Sequence, residues 1–198
     1  MFDISKHDTK KLNKKFTEAR PYPHLVIENF LDEKDAQRLA KAIRKEEFKE
    51  KDSDLFHLWQ TSDLAQTKNK DLKEMHSFVV SKEFADFMKD VSGLNVKPGV
   101  LDFAGSLYKD TNYLLCHDDK VEDRKIAYIL YLSDDFKEKE GGALVIFDDD
   151  NGKPGKPVKK YSPKWNSLAM FAVSNKSWHS VDEVIGKKDR YAIGGWLK

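Results

Sequence analysis

The sequence contains little from which a disulfide-linked or membrane-spanning protein could be built. Its 198 residues include a single cysteine, Cys116, which excludes an internal disulfide framework and a zinc module with several cysteines. No run approaches the roughly 18 apolar residues of a membrane span, and the first residues lack the apolar segment of a secretory signal. These absences predict a cytoplasmic or nuclear protein without membrane contact.

An excess of charge of one sign is also lacking. The 35 lysines and arginines stand against 34 aspartates and glutamates, for a formal net charge of +1. Proteins that bind nucleic acid through its phosphates present a basic field, so no direct nucleic-acid binding is expected. Aromatic residues make up 12% of the chain, and because each buries a large area, a folded core is expected.

The N-terminal half has helical and strand patterns between polar segments. Residues 1–23 are charged and end in Pro-Tyr-Pro, a poor setting for a helix just before residue 24, and the basic run from Lys10 to Lys15 is interpreted as a solvated arm. The run 24–30 favours a strand, and apolar spacing predicts helices over 33–48 and 81–92. The polar segment 50–72 has no clear pattern.

The pattern changes after Pro98. Seven or eight short runs rich in β-forming residues alternate with clusters of Gly, Pro, Asp and Asn up to Lys198. The intervals are too short for crossover helices, which disfavours a parallel α/β sheet. The sequence therefore predicts a mainly β protein, a sandwich or barrel, with N-terminal helices.

The segment YLLCHDD, residues 113–119, carries a candidate metal site. In a strand, His117 and Asp119 project from the same face because they are two residues apart. Two histidines and one carboxylate bind ferrous iron on one face of its octahedron and leave three positions open. His179, 62 residues further on in another predicted strand, is the candidate third ligand.

A candidate anion-binding residue follows in the next strand. Arg190 lies 11 residues after His179, at the start of the run YAIGGWL. Its planar, permanently charged guanidinium suits a carboxylate at the closed end of a pocket. A metal and an arginine together could hold a dicarboxylate cosubstrate by both ends.

This arrangement of His-x-Asp, distal His and Arg resembles the Fe(II)- and 2-oxoglutarate-dependent oxygenases. Their shared fold is a double-stranded β-helix, or jelly roll, of the cupin type, with supporting N-terminal helices. Within that superfamily, several segments look like the catalytic domain of the eukaryotic ribosomal-protein prolyl 3-hydroxylases. These segments are LLCHDD, RKIAYILYL, GGALVIFDDD, SPKWNSLAMFAVS and WHSVDEV…RYAIGGW.

The resemblance implies specific cofactors and roles. Fe(II) would be bound by His117, Asp119 and His179, and the C5 carboxylate of 2-oxoglutarate by Arg190 and the hydroxyl of Tyr131. O2 would be the oxidant, with ascorbate as a further expected cofactor. The substrate would be a prolyl residue of a small-subunit ribosomal protein, hydroxylated at C3.

The resemblance also implies an organisation of the chain and includes two departures. Residues 1–198 would form one oxygenase domain, with a strand and supporting helices over 24–97 and the double-stranded β-helix over 98–198. The residue two after the arginine is often Ser or Thr in the superfamily, whereas here it is Ala192. The ribosomal family also usually continues into a second β-helix domain, so the chain is expected to be a single-domain relative or a catalytic domain.

Two other functions fit the same residues. The chain could use iron and 2-oxoglutarate to act on a free amino acid or another small molecule. It could also be a non-catalytic β-barrel that binds metal or 2-oxoglutarate as a scaffold. Substrate contacts lie in variable loops, so the sequence does not separate these alternatives, and it does not indicate an oligomeric state.

Overall fold

The computed structural model describes residues 2–121, 123–134 and 136–198, and the elements below belong to these residues. The helices are α1 (Thr9–Glu18), α2 (Glu33–Ile43), α3 (Lys70–Val79) and α4 (Lys82–Ser92). The strands are β1 (His24–Ile27), β2 (Phe48–Asp52), β3 (Phe56–Thr61), β4 (Leu101–Tyr108), β5 (Tyr113–His117), β6 (Ile126–Tyr131), β7 (Leu144–Asp150), β8 (Lys153–Tyr161), β9 (Ser167–Ala172), β10 (His179–Val181) and β11 (Arg190–Leu197). In the described ranges, none of the helices has the length and apolar character needed to cross a membrane.

All described strands belong to one antiparallel sheet that folds into two layers. Its order is β1-β9-β6-β11-β4-β3-β5-β10-β7-β8, with β2 beside β3. We call strands β1, β9, β6, β11 and β4 the major sheet, and strands β5, β10, β7 and β8 the minor sheet. Strand β3 joins them, because Gln60 pairs with Ser106 of β4 while Phe56 pairs with Leu114 of β5. This is the predicted double-stranded β-helix.

Strand β6 shows why the major sheet sits between two apolar layers. Tyr128 and Leu130 pack into the cluster formed with the helices, whereas Ala127 and Tyr131 pack toward Leu144 of the minor sheet. Side chains alternate between the faces of a strand. Because both faces of β6 are covered, its sequence IAYILY is continuously apolar rather than alternating.

The two ends of the sheet meet through side chains. His24 of β1 places its Nε2 atom 3.0 Å from the hydroxyl of Tyr161 of β8. Its Nδ1 atom lies 2.8 Å from the carbonyl oxygen of Tyr22, so Nδ1 donates and Nε2 accepts the tyrosine proton. No backbone ladder joins β1 to β8, so these contacts close the barrel.

The strands after Pro98 and the helix over 81–92 are confirmed within a few residues. The interpretation of Lys10 to Lys15 as a solvated arm is wrong, because these residues lie in α1 (Thr9–Glu18). The helix expected over 33–48 ends at Ile43, since Phe48 begins β2. Most of Lys153–Tyr161 lies in the clusters DDDNGKPGKP and KYSPKWN, which are expected between strands, but the segment is the edge strand β8. Residues 48–61 form the hairpin β2–β3. Helix α3 (Lys70–Val79) has no counterpart among the predicted elements.

Candidate active site

Two histidines face each other across a pair of neighbouring strands. His117 ends β5 and His179 begins β10, and the two are directly paired in the antiparallel register, with ring centroids 4.2 Å apart. Each Nδ1 atom lies beside a backbone carbonyl oxygen, of Leu115 at 2.9 Å and of Ser177 at 2.8 Å. A carbonyl only accepts, so Nδ1 carries the proton and Nε2 is left with its lone pair toward the site.

Asp119 completes the group from the loop after β5. Its Oδ1 lies 3.4 Å from His117 Nε2, and its Oδ2 lies 3.5 Å from His179 Nε2. The three candidate ligand atoms lie within 4.8 Å of one another. Asp119 adopts a left-handed backbone conformation with φ of 61°, which a short polar residue tolerates better than most. That turn brings the carboxylate back toward the histidines.

The pKa values of Asp119 and His179 favour the forms that bind a cation. Burial alone would raise the pKa of Asp119, but the hydrogen bond to His117 and the nearby His179 hold it below its usual value. Burial and the neighbouring His117 lower the pKa of His179 to about 4, which keeps its imidazole neutral. Burial opposes the charged form of His117 as well, but Asp119 outweighs it and raises the pKa of His117. A neutral imidazole and an ionised carboxylate are the forms that bind metal ions.

Two residues that the sequence analysis did not select hold the carboxylate. Trp196 of β11 donates from Nε1 to Asp119 Oδ2 at 3.0 Å. The guanidinium of Arg124 lies 3.5 Å from the Trp196 ring centroid and 3.7 Å from Asp119 Oδ1. Partners of this kind orient metal ligands. Side chains alternate between the two faces of a strand, and Arg190 and Trp196 are an even number of residues apart on β11. This spacing is the signal in the sequence that places Trp196 on the same face as Arg190.

The three ligands and Arg190 line one cavity of about 740 Å³ between the major and minor sheets. Arg190 is 1% exposed, and Gly142 leaves room for it, since a Cβ atom there would lie 2.9 Å from Arg190 Cδ. The rings of Tyr108 and Tyr131 flank the guanidinium, at 4.7 and 4.9 Å from their centroids. The cavity thus has a metal-binding group and a cationic group on its walls.

The buried polar atoms around Arg190 lack partners. Arg190 Nε, Arg190 Nη2 and the hydroxyl of Tyr131 are all buried, and none hydrogen-bonds within the described part of the chain. Buried polar groups are normally paired because an unpaired one is costly. A carboxylate would satisfy these donors, so the residues fit the far end of a dicarboxylate such as 2-oxoglutarate. Tyr131 lies beside Arg190, with its ring centroid 4.9 Å from the guanidinium carbon.

The donor set also fits iron. Two imidazoles and one carboxylate with open positions are characteristic of non-haem Fe(II) oxygenases. His117, Asp119 and His179 could therefore hold such an ion. No other group of three or more metal-ligating side chains is found among the described residues.

Comparisons with known proteins agree with this geometry. Residues 103–198 match the family model described as the 2OG-Fe(II) oxygenase superfamily. The chain is 36% identical over 180 residues to "Prolyl 3-hydroxylase OGFOD1" of Xenopus laevis, an alignment covering 89% of the chain and 35% of that protein. It is 32% identical over 186 residues to "Prolyl 3-hydroxylase sudestada1" of Drosophila melanogaster, covering 89% and 34%. The chain spans about a third of the length of these relatives.

Solved structures share the fold. A prolyl-4-hydroxylase of Pseudomonas putida superposes with a TM-score of 0.71 at 18% identity, covering 94% of this chain and 98% of that one. A prolyl hydroxylase of Trichoplax adhaerens, solved with a peptide fragment of hypoxia inducible factor, gives 0.74 at 16% identity, covering 96% and 90%. The family match spans the residues that carry the site, and on this ground residues 103–198 belong to the 2OG-Fe(II) oxygenase superfamily.

Proposed function

We propose that the chain is an Fe(II)- and 2-oxoglutarate-dependent dioxygenase that hydroxylates a prolyl residue in a protein. The single observation that carries the proposal is the cavity itself. His117, Asp119 and His179 converge on one part of its wall, and Arg190 presents buried donors without partners on another. A metal site and a carboxylate site in one cavity serve a cosubstrate that chelates the metal at one end and carries a carboxylate at the other.

In this proposal, His117, Asp119 and His179 hold the iron on one face and leave the opposite positions open. Bound iron with 2-oxoglutarate and O2 would supply the oxidising chemistry, while the protein supplies orientation and exclusion of water. Arg190 and the hydroxyl of Tyr131 beside it would hold the C5 carboxylate. Trp196 and Arg124 hold the carboxylate of Asp119 in place, so that the open positions always face the same part of the cavity.

Apolar side chains at the mouth support a prolyl substrate. Leu55 and Leu58 of the β2–β3 segment, Val121 and the Trp196 ring line the cavity, and Leu55 and Val121 are exposed to solvent. A pyrrolidine ring has no side-chain donor or acceptor, so an apolar wall suits it. The names of the sequence relatives support proline and C3 as the site of oxidation. The likeness of the sequence to ribosomal-protein hydroxylases supports a small-subunit ribosomal protein as the target.

Succinate formation tests the proposal. The purified chain with Fe(II), ascorbate, 2-oxoglutarate and air is given proline-containing peptides that span small-subunit ribosomal proteins. We expect succinate to form with one peptide, which gains one oxygen atom at proline C3. Succinate formed with free amino acids and with no peptide would favour the small-molecule alternative. A folded chain that neither forms succinate nor binds 2-oxoglutarate would be a scaffold.

A pair of aspartate variants provides the control. Asp119→Ala removes a ligand and should lower succinate formation by more than about 100-fold, because even the loss of a partner of a ligand costs about 10- to 100-fold. Asp148→Ala removes an exposed carboxylate of β7 and should leave the rate unchanged. Equal rates in Asp119→Ala and the unchanged chain would remove Asp119 from the site.

The location and domain organisation remain proposals as well. We propose that the chain acts in the cytoplasm or the nucleus, which imaging of the tagged chain in its own cells would test. We also propose that residues 1–198 form one oxygenase domain, since β1 pairs with β9 and α1 packs on α4. Two separate unfolding transitions would contradict the single domain.

A further inference from the structure

The face of β11 that carries Arg190 has no hydroxyl beside the guanidinium. Two carboxylate oxygens have about four acceptor positions. Arg190 Nε, Arg190 Nη2 and the Tyr131 hydroxyl are three buried donors without partners among the residues described. Ala192 lies beside Tyr131 in the register and carries only a methyl group. A further hydroxyl donor next to Arg190 would therefore have to come from another strand.

Ser106 of β4 lies where that donor is needed. In the β4–β11 register Ser106 is paired with Ala192, and the next residue on the same face, Tyr108, is paired with Arg190. Directly paired side chains have Cβ atoms about 5 Å apart, and diagonal neighbours about 7 Å apart, within reach of a long side chain. Ser106 is thus the diagonal neighbour of Arg190.

The surroundings leave the Ser106 hydroxyl available. Ser106 lines the same cavity as Arg190 and is half-buried. No side chain or backbone group in the described ranges forms a hydrogen bond with its hydroxyl. By contrast, Ser133, also near Arg190 in the sheet, is occupied by the carbonyl of Asp189 and the N–H of Tyr191. Ser106 therefore faces the cavity with an uncommitted donor.

We propose that the hydroxyl of Ser106 donates to the C5 carboxylate of 2-oxoglutarate beside Arg190, from the strand next to Ala192. This inference rests on the proposed function. It makes β4 part of the cosubstrate site, so that Arg190 on β11, Tyr131 on β6 and Ser106 on β4 hold one carboxylate from three adjacent strands. Because Ser106 acts on the far end of the cosubstrate, it affects binding of 2-oxoglutarate and not binding of the metal.

Calorimetric titration of 2-oxoglutarate into the Mn(II)-loaded chain tests the proposal without turnover. Ser106→Ala should weaken 2-oxoglutarate binding about tenfold, the effect of losing one hydrogen bond to a charged group. Ser106→Thr keeps the hydroxyl and should bind within about twofold of the unchanged chain by the same reasoning. Ser77→Ala makes the same chemical change on the exposed face of α3 and should have no effect. The affinity for Mn(II) alone should be equal in all four proteins.

The outcomes separate the inference from the function on which it rests. Equal affinity of Ser106→Ala and the unchanged chain for 2-oxoglutarate would overturn the role of Ser106. A loss that Ser106→Thr does not restore, or one accompanied by weaker Mn(II) binding, would also overturn it, because either indicates a packing effect. An unchanged chain that binds Mn(II) but not 2-oxoglutarate would instead contradict the proposed function.

Discussion

At the scale of one residue, Arg190 is buried with donors that have no partner among the described residues, and such donors suit a ligand. A guanidinium that is 1% exposed loses its hydration, and that cost is normally offset by an acidic partner. Here the faces of Tyr108 and Tyr131 offset part of it through cation–π contacts, while two N–H groups stay unpaired in the described structure. Burial of Arg190 without partners for these groups lowers the stability of the fold, and binding of an anion there raises it again. Such a trade-off is common in functional sites.

Trp196 offers a second test at this scale. Trp196→Phe keeps an aromatic ring under Arg124 but removes the indole N–H that bonds Asp119 Oδ2. The carboxylate then has more freedom, so we expect Mn(II) affinity to fall by about 10- to 100-fold. Electron paramagnetic resonance of free Mn(II) during titration measures it.

Trp165→Phe is the matched control for Trp196→Phe. Trp165 also donates from its indole to a carboxylate, that of Glu33, at 3.0 Å, but on the exposed surface. Its loss should leave Mn(II) affinity unchanged. If both variants bound Mn(II) as the unchanged chain does, Trp196 would have no part in holding Asp119.

The sequence predicts some of these residues and not others for a physical reason. His117 and Asp119 are close in sequence, and a strand fixes their shared face, so the pattern shows them together. The contact between Trp196 and Asp119 spans 77 residues. Alternation along β11 places Trp196 on the same face as Arg190, but the pairing of distant strands determines which residue Trp196 contacts, and the local sequence does not show that pairing.

At the scale of elements, α1 shows how tertiary contacts override a polar sequence. The helix TKKLNKKFTE has four lysines, but Asp8 caps it by accepting from the N–H of Lys11 at 3.0 Å. Phe16 is fully buried, and Asn13 donates to the carbonyl of Val91 in α4 at 3.1 Å. Helices in proteins owe most of their stability to such packing, which an isolated count of charges does not reveal.

Phe16→Ala tests whether α1 is part of the core. The change removes a large buried side chain and leaves a cavity, so the free energy of unfolding should fall by about 3 kcal/mol or more. Urea denaturation followed by circular dichroism measures it. Lys14→Ala, on the exposed face of the same helix, should change stability by less than about 0.5 kcal/mol. Equal effects of the two variants would mean that α1 does not pack on the core.

Most of strand β8 lies in sequence clusters that favour turns, and it is still a strand because edge strands follow different rules from central ones. It lies at the end of the minor sheet and pairs only with β7. Its residues Pro154 and Pro157 and its lysines are poor β-formers, but such residues protect an exposed edge from pairing with another chain. A composition that lowers strand propensity is therefore compatible with a strand at this position.

At the scale of the whole molecule, the two-layer fold brings distant segments to one cavity. The metal ligands come from the minor sheet and the loop beside it, whereas Arg190, Tyr131 and Ser106 come from adjacent strands of the major sheet. The minor and major sheets are joined through β3. The sequence predicts this layered class from its even spacing of short strands, but the corner at β3 lies in a segment with no clear pattern.

Closure of the barrel should depend on pH through His24. Burial is the main cause that lowers the pKa of His24, and the charge of Lys159 adds to it. A protonated His24 could not accept the hydrogen bond from Tyr161, so the folded state resists protonation while the unfolded state takes the proton near its ordinary pKa of about 6.5. The folded state thus binds fewer protons than the unfolded state. The contribution of His24 to the free energy of unfolding is therefore fully present above about pH 6.5, and it is lost as the pH falls below that value.

His24→Gln removes this titration and tests the prediction. In metal-free protein, the free energy of unfolding of the unchanged chain should fall from pH 7.5 toward pH 5 more steeply than that of His24→Gln, by up to about 1.4 kcal/mol per pH unit for one proton. His179, whose pKa is also lowered, is present in both proteins, so the difference between the two curves isolates His24. Urea unfolding at a series of pH values measures both curves. Parallel curves would show that His24 is not protonated on unfolding and that the contact between β1 and β8 does not respond to pH.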